Sequence, residues 1–562
     1  METSSILSPV MLWRDFKIKY PLRETKTSEE IFDNVIYSEV YFSGRETEEG
    51  RVRIFGIYAK SRVVKKSVKT AAILILPDAS ETVDLELINY YVRQGYSVLM
   101  VDYRGKTDKT ENYTQYPSCI SFANYLERGE RMDRCPDTAR ETCWFEWVSV
   151  AKYALEFLKS RRDIDFIGVL GIKSGADVGW QLCTTEDSGI NCFVPLFCAG
   201  GRAFDGFGKN SEEDMPMNDE RVRFLAGVDA SAYTQYMRCP TFYMTASNAL
   251  CSDVERAFDS LSRVPKDTPL FFNIAPRFSD VLDGRCQKNI DLFFAKYLLG
   301  FKADVPSEPK MSVVVSGRKV DIVLEETDHA ENKVKKAAVY VAEGEDDPAF
   351  RCWTELKHVS EDEGEQRFSH LINSTCSYIS LFAVVTYKNG FTVSTKIITR
   401  KFPKIRFPKR NLLYSGKMPL TVASASPLKE EAENGLYFTG DYPLSTSVCA
   451  GEITGIKPKF GLVFYRFSSE IYKLNEYAFL KADLFSSDRC SVKVTLVTEH
   501  RGEIKEFFAT AIIRQENVWN DVLIRFSDFK SDTNKSIEDY SSVKAIKFDS
   551  EFSFVLNNVL VL

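Results

Sequence analysis

At 562 residues the chain is too long for one ordinary domain, and its length alone points to three or four. Its 73 basic and 79 acidic residues give a net charge of −6, and with no long basic stripe, nucleic acid is not an expected partner. No apolar run reaches the roughly 18 residues of a membrane span, the N-terminal stretch lacks a signal-peptide layout, and 13 scattered cysteines form no C-x-x-C pair; the expectation is a cytoplasmic protein with free thiols, no membrane partner, no metal and no cofactor.

Residues 1–45 form a lead-in, within which 35–43 alternate and pair with 51–60 as an antiparallel hairpin across the polar run GRETEEG. The pattern then turns to α/β. Residues 71–77 (AAILILP) read as a strand covered on both faces. Residues 83–94 have helical spacing and stop at Gly95. Residues 97–102 (SVLMVD) are the next buried strand, an irregular insertion runs to about Glu141, and 144–162 form an amphipathic helix.

Residues 166–180, FIGVLGIKSGADVGW, read as a buried strand, a sharp turn and the start of a helix. This is the layout in which G-x-S-x-G holds a nucleophilic serine on a strained turn. Gly171 and Gly175 are in place, because the turn leaves no room for a Cβ on either side. The residue between them is Lys173. A register shifted by one makes Ser174 the nucleophile, but then a β-branched Ile172 occupies the tight position, with Ala176 opposite.

Strands follow at 192–198, 241–246 and 270–275, then a helix at 288–299. Strands alternating with helices imply a mostly parallel, doubly wound sheet with its crevice at the C-terminal strand ends. From 311 to about 399 the texture becomes short alternating strands (319–324, 337–341, 378–387, 392–398) with a Lys388-Asn389-Gly390 turn, as in an immunoglobulin-like sandwich. Residues 401–410 (KFPKIRFPKR) read as a basic linker. A second all-β unit follows, with strands at 461–467, 478–485, 491–498, 507–513, 522–526 and 552–562, suiting a jelly roll. The fold class is multidomain: a doubly wound α/β domain over 1–305, then two all-β sandwiches over 306–402 and 403–562.

Residues from about 52 to 300 resemble bacterial α/β-hydrolases of the acetyl-xylan-esterase and prolyl-oligopeptidase-like group. The resemblance is carried by GYSVLMVDYRG, YPSCISFANY, IGVLGIKSGA, RCPTFYMTASN and KNIDLFFAKYL. The segment VWNDVLIRFSDFK…DYSSVKAIKFDS…FSFVLNNVLVL is similar to galactose-binding-like carbohydrate-binding modules. The family resemblance implies a serine where Lys173 stands and an acid, in a T-A-x-N-D context, where Ala249 stands. It implies a histidine in the stretch that here reads Pro276-Arg277-Phe278-Ser279-Asp280. It also implies an oxyanion-hole motif where Pro77-Asp78-Ala79-Ser80 stands. The chain has four histidines, His329, His358, His370 and His500, all beyond the α/β domain. A serine hydroxyl is a weak nucleophile until a base takes its proton, so four departures in one site describe a degenerate hydrolase.

Lys173 falls at a helix N-terminus, where a cation is disfavoured by about 0.3–1 kcal/mol. Three roles follow: a salt bridge plugging the crevice, with Asp78, Asp102 or Asp280 as partner; an anion site in which the ammonium and helix N–H groups hold a carboxylate or phosphate; or a deprotonated lysine acting as nucleophile or Schiff-base former. Asp102 with Arg104 reads as an internal ion pair, Trp144 and Trp147 as core or pocket wall, and Cys119 and Cys251 as inert thiols near the crevice. Tyr437, Phe438, Tyr442, Tyr465 and Trp519 are candidates for a sugar-stacking platform, with core packing as the plainer alternative.

The leading expectation is a catalytically degenerate hydrolase-like protein binding a small molecule or glycan through Lys173, Asp78, Asp102 and Asp280. The alternatives are an active carboxylic-ester hydrolase using Ser174, with His329, His358 or His370 reaching the crevice, and a structural assembly protein whose sandwiches mediate homo-oligomerisation.

Overall fold

The computed structural model describes residues 7–562 apart from 63–68, 108–109, 186–188, 212–213, 280, 303, 326–332, 363, 427–436, 439–443, 460 and 473. Asp280, His329 and Tyr442 therefore lie outside the described residues.

The first half of the chain builds one nine-stranded sheet. Its strands are β1 (Thr25–Phe32), β2 (Val35–Thr47), β3 (Gly50–Ser61), β4 (Thr70–Leu76), β5 (Ser97–Asp102), β6 (Ile164–Ile172), β7 (Cys192–Leu196), β8 (Thr241–Ala246) and β9 (Leu270–Ala275). The order across the sheet is β1-β2-β3-β5-β4-β6-β7-β8-β9. β1, β2 and β3 pair antiparallel and β3 joins β5 antiparallel, while every pair from β5 to β9 is parallel. The helices are α1 (Pro9–Trp13), α2 (Leu85–Arg93), α3 (Cys143–Lys159), α4 (Ser174–Thr185), α5 (Asp219–Gly227), α6 (Val254–Leu261) and α7 (Gly284–Leu299). The buried central strands send alternate residues to opposite faces. Ala72, Leu74 and Leu76 pack with α3 and α4, whereas Ala71, Ile73 and Ile75 pack with α2 and α7. Asp84 caps α2 and Asp283 caps α7 through their carboxylates, and Gly300, at φ 73°, ends α7 in the left-handed region.

β9 would be an exposed parallel edge, a ready template for stray pairing. It is covered by the middle unit: Ser394 Oγ accepts the Ile274 N–H at 2.8 Å and donates to Asn273 Oδ1 at 3.1 Å. One helix further on, Asn289 exchanges two hydrogen bonds of 2.8 Å with the Thr392 backbone. The middle unit is a sandwich of a four-stranded and a five-stranded sheet whose inner residues, such as Ile322 and Leu381, share one core with α7. The C-terminal unit is a second sandwich, of six and five strands, with its own core around Phe464, Leu480, Val494 and Phe548.

Two expected features shift. Residues 401–405, read as linker, belong to the strand Ile398–Ile405, which pairs with Cys376–Tyr387 and so crosses the expected boundary at 402–403. β1 was not expected, because TKTSEEIF has no alternating apolar face; it is held by edge pairing to β2. The Lys388-Asn389-Gly390 turn is present, with Gly390 at φ 99°.

Candidate functional site

The order of the sheet places β6 at its centre, and the chain leaves β6 through a turn directly into α4. Lys173 sits on that turn at φ +50°, a backbone conformation costly for any residue with a Cβ. Its own N–H donates to Leu196 O at 3.0 Å, and its carbonyl accepts the Ala176 N–H at 2.9 Å. The two glycines are required by space. A Cβ on Gly175 would stand 2.0 Å from Leu76 O, and one on Gly171 would stand 2.6 Å from Gly175 O. The strained position of the elbow is thus Lys173, and Ser174 is the first residue of α4.

Ser174 points inward and is 1% exposed. Its Oγ donates to Asp78 Oδ1 at 2.5 Å and accepts the Ala79 N–H at 2.7 Å, with the Tyr103 hydroxyl 3.1 Å away. The Ser174 N–H also reaches Asp78 Oδ1, at 3.3 Å. Asp78 therefore lies over the N-terminus of α4, where a carboxylate is electrostatically favoured, and Ser80 Oγ donates to its other oxygen at 2.6 Å. In this fold, an oxyanion hole is built from the N–H after the nucleophile position and an N–H from the loop after the neighbouring strand. Here the Ser174 and Ala79 N–H groups in those places have protein acceptors. Tyr103, fully buried, also donates to Pro77 O at 2.5 Å, so the loop is fixed from below.

Above the elbow is a cavity of about 980 Å³ bounded by all three units. The α/β half contributes Asp78, Lys173, Ser174, Arg202, Asp205 and Ala249 to its lining. The middle sandwich contributes the 343–350 loop, and the C-terminal sandwich contributes the hairpin Glu499–Gly502 and Lys544. The Lys173 ammonium lies 5.9 Å from the centre of the Phe197 ring. Arg202, also in the lining, bonds Asp177 Oδ2 through Nε at 2.6 Å, and burial raises the Asp177 pKa despite the guanidinium.

The loop after β8 serves domain packing. Ser247 Oγ donates to Asn248 Oδ1 at 2.9 Å, and Asn248 Nδ2 donates to Ala349 O at 3.1 Å and Arg351 O at 2.8 Å. Arg351, 1% exposed, bonds Glu255 at 2.7 Å, so α6 is pinned to the middle sandwich by a buried ion pair. The C-terminal sandwich closes the other side: Lys544 bonds Glu345 at 2.9 Å. A Cβ on Gly206 would stand 2.2 Å from Arg501 O, and one on Gly502 would stand 2.7 Å from Gly206 Cα. Two glycines face each other where the hairpin meets the crevice lip.

Other expected residues fall elsewhere. Asp102 does not line the cavity; its carboxylate accepts the Thr114 N–H at 2.6 Å and faces Arg104 Nε at 3.4 Å, and burial pushes its pKa up to about 6. The expectation of Asp102 as a partner of Lys173 is therefore corrected, because an internal ion pair and a backbone donor take it. Ser279, half-buried, is also absent from the lining. His358 packs edge-on against Phe368, and His370 Nε2 is 2.5 Å from Glu343 Oε1; neither lines the cavity. Among the described residues the histidine in the lining is His500, from a hairpin more than three hundred residues beyond the elbow in sequence, which no local pattern could place there. Cys119 is exposed and away from the cavity, whereas Cys251 lines it. Trp144 and Trp147 are core, each donating to a backbone carbonyl. Of the aromatics whose side chains are described, Tyr465 packs in a buried cluster with Phe350 and Trp519 lies against Phe485 in the other sheet, so these two share no platform; the backbone at 437–438 pairs with Leu282–Asp283. Among the described residues, no group of three or more metal-ligating side chains gathers, and no helix is long and apolar enough to cross a membrane.

No protein-family model matches the chain, and no curated protein matches it. Solved structures do. An acetyl xylan esterase from Paenibacillus is 15% identical, covers 50% of this chain and 90% of its own, and has a TM-score of 0.37. Acetyl xylan esterase 1 from Thermoanaerobacterium is 13% identical over 50% of this chain and 89% of its own, with a TM-score of 0.36. An acylaminoacyl peptidase from Pyrococcus horikoshii is 13% identical over 50% of this chain and 51% of its own, with a TM-score of 0.35. These likenesses cover about half of this chain, and the chain's own topology there is a mostly parallel, doubly wound sheet with a strand–turn–helix elbow.

Proposed function

We propose that this is a catalytically degenerate α/β-hydrolase-like protein that holds a ligand in its three-sided crevice and does not hydrolyse it. The observation that carries this reading is the state of the two N–H groups at the elbow. Ser174 N–H is bonded to Asp78, and Ala79 N–H is bonded to Ser174 Oγ. An oxyanion brought there would face the Asp78 carboxylate where acyl transfer needs open donors. Lys173 in the nucleophile place, Ala249 in the acid place and the absence of histidine before residue 305 support the same reading. The open cavity beside Lys173 favours a binding protein over a purely structural assembly. Its ammonium at a helix N-terminus suits a carboxylate or phosphate, and Tyr125, Phe204, Phe207 and Phe350 in the lining suit the faces of a sugar or another small ring. We read the middle sandwich as immunoglobulin-like and the C-terminal one as a galactose-binding-like jelly roll, both serving as walls of the crevice.

One observation favours a second reading, an active ester hydrolase through Ser174: the Asp78 carboxylate is within hydrogen-bond reach of Ser174 Oγ, as a general base would be. Turnover of a short-chain aryl acetate by wild type, Lys173→Ala and Ser174→Ala decides between them. The binding reading expects all three to match the buffer blank. Wild-type turnover abolished in Ser174→Ala establishes the second reading, and turnover lost only in Lys173→Ala makes the lysine the reacting group.

A further inference from the structure

All 13 cysteines carry free thiols, and two of them meet at the crevice wall. β7 ends at Leu196, and Cys198 follows it, 1% exposed, with its carbonyl accepting Trp180 Nε1 at 3.1 Å. Cys251 lies on the loop after β8, half-buried and facing the cavity. Cys198 Sγ donates to the Cys251 carbonyl at 3.8 Å, which places the two cysteines side by side. The neighbouring residues fasten the two segments: Ser252 Oγ donates to Phe197 O at 2.6 Å. Arg202 Nη2 is 3.8 Å from Cys198 Sγ, placing a cation where negative charge on sulfur would be stabilised.

Two adjoining thiols, one buried and one open to a cavity, form a resolving and an attacking pair. We propose that Cys198 and Cys251 are a redox site that forms a reversible disulfide when a hydroperoxide enters the crevice. Cys251 attacks the distal peroxide oxygen, the O–O bond breaks, and the products are Cys251 sulfenic acid and an alcohol, or water from hydrogen peroxide. The Cys198 sulfur then attacks the sulfenic sulfur, an S–S bond forms, and the S–OH oxygen leaves as water with the Cys198 proton. Two electrons pass from the thiols to the peroxide, and a dithiol returns them. The neighbouring Cys251, and then burial, hold the Cys198 thiol above its ordinary pKa, in keeping with its place as the second sulfur to react. Bond formation brings the two sulfurs to roughly 2.0 Å. The bond would clamp the loop carrying Ala249 to the end of β7, one residue from Phe197, whose ring faces the Lys173 ammonium.

The test uses the reduced full-length protein, treated with hydrogen peroxide near stoichiometry, alkylated with N-ethylmaleimide and digested without reduction. The expected result is one cross-linked species joining the Cys198 and Cys251 peptides, lighter by two hydrogens, with two fewer maleimides per chain, both reversed by dithiothreitol. Cys251→Ser and Cys198→Ser each abolish it. The proposal is overturned if Cys251 stops at sulfenic or sulfinic acid with Cys198 still alkylated, if the cross-link joins other cysteines, or if neither thiol oxidises. Wild-type peptide mapping alone separates these outcomes should either variant fail to fold.

Discussion

The floor and the walls of the crevice are built on opposite terms. The floor is local: β6, the turn at Lys173 and α4 are contiguous in sequence, and two glycines fix their geometry. The walls are assembled from distant segments, with Asn248 held by residues 349 and 351, Glu255 by Arg351, and Glu345 by Lys544. The floor is a strained strand–turn–helix elbow whose polar groups bond one another. The loop after β8 bonds the middle sandwich. The turn is thus set by its own few residues, whereas the loops that enclose the cavity depend on partners far away in the chain.

The largest effect should come from the floor. Gly175→Val puts side-chain atoms into the Leu76 and Pro77 carbonyls, and a loss of more than about 4 kcal/mol is expected from urea denaturation. On the wall, Arg351→Met leaves Glu255 buried without its cation and should cost about 3–5 kcal/mol. Adding Glu255→Gln should recover part of that loss, and no recovery would mean the pair is not the anchor. A smaller effect is expected at the glycine contact: Gly206→Val collides with Arg501 O, and overpacking of this kind costs about 1–3 kcal/mol. It should release the C-terminal sandwich, read as a larger radius of gyration by solution scattering. An unchanged radius would show that the hairpin does not depend on that contact.

The smallest effect is one of pH. Burial, only partly offset by Lys544, pushes the Glu345 pKa up to about 7. Between pH 4.5 and 7 the folded protein keeps a proton that the unfolded chain has released, so this contribution to stability falls as pH rises through that window. Glu345→Gln should flatten the slope relative to wild type between pH 5 and 7.5, measured by urea midpoints at each pH.

Legibility in the sequence follows the same division. SVLMVD, residues 241–246 and residues 270–275 announce themselves as buried runs and are β5, β8 and β9. The elbow is legible because two glycines four apart next to a buried strand are a local steric signature. β1 is not, since its eight residues include one half-buried position and take their order from β2. Residues 401–405 look like a linker because proline and charge mask a strand whose partner, Cys376–Tyr387, defines it. Asn248, Arg351, His500 and the Gly206–Gly502 contact leave no local trace, for each matters only through a partner far away in the chain. Ser174 was visible as a residue, but its inward orientation depends on Asp78 and Tyr103, which belong to other strands' loops.

In the proposed binding protein, Ser174 is a structural residue and its hydroxyl is not activated. Intact-mass measurement after exposure to a fluorophosphonate, which phosphonylates activated serines, tests it most directly. The expected result is an unmodified chain under conditions that fully label an active esterase control. A single adduct mapped to Ser174 would contradict it, and would mean that the hydroxyl turned toward Asp78 is a working nucleophile.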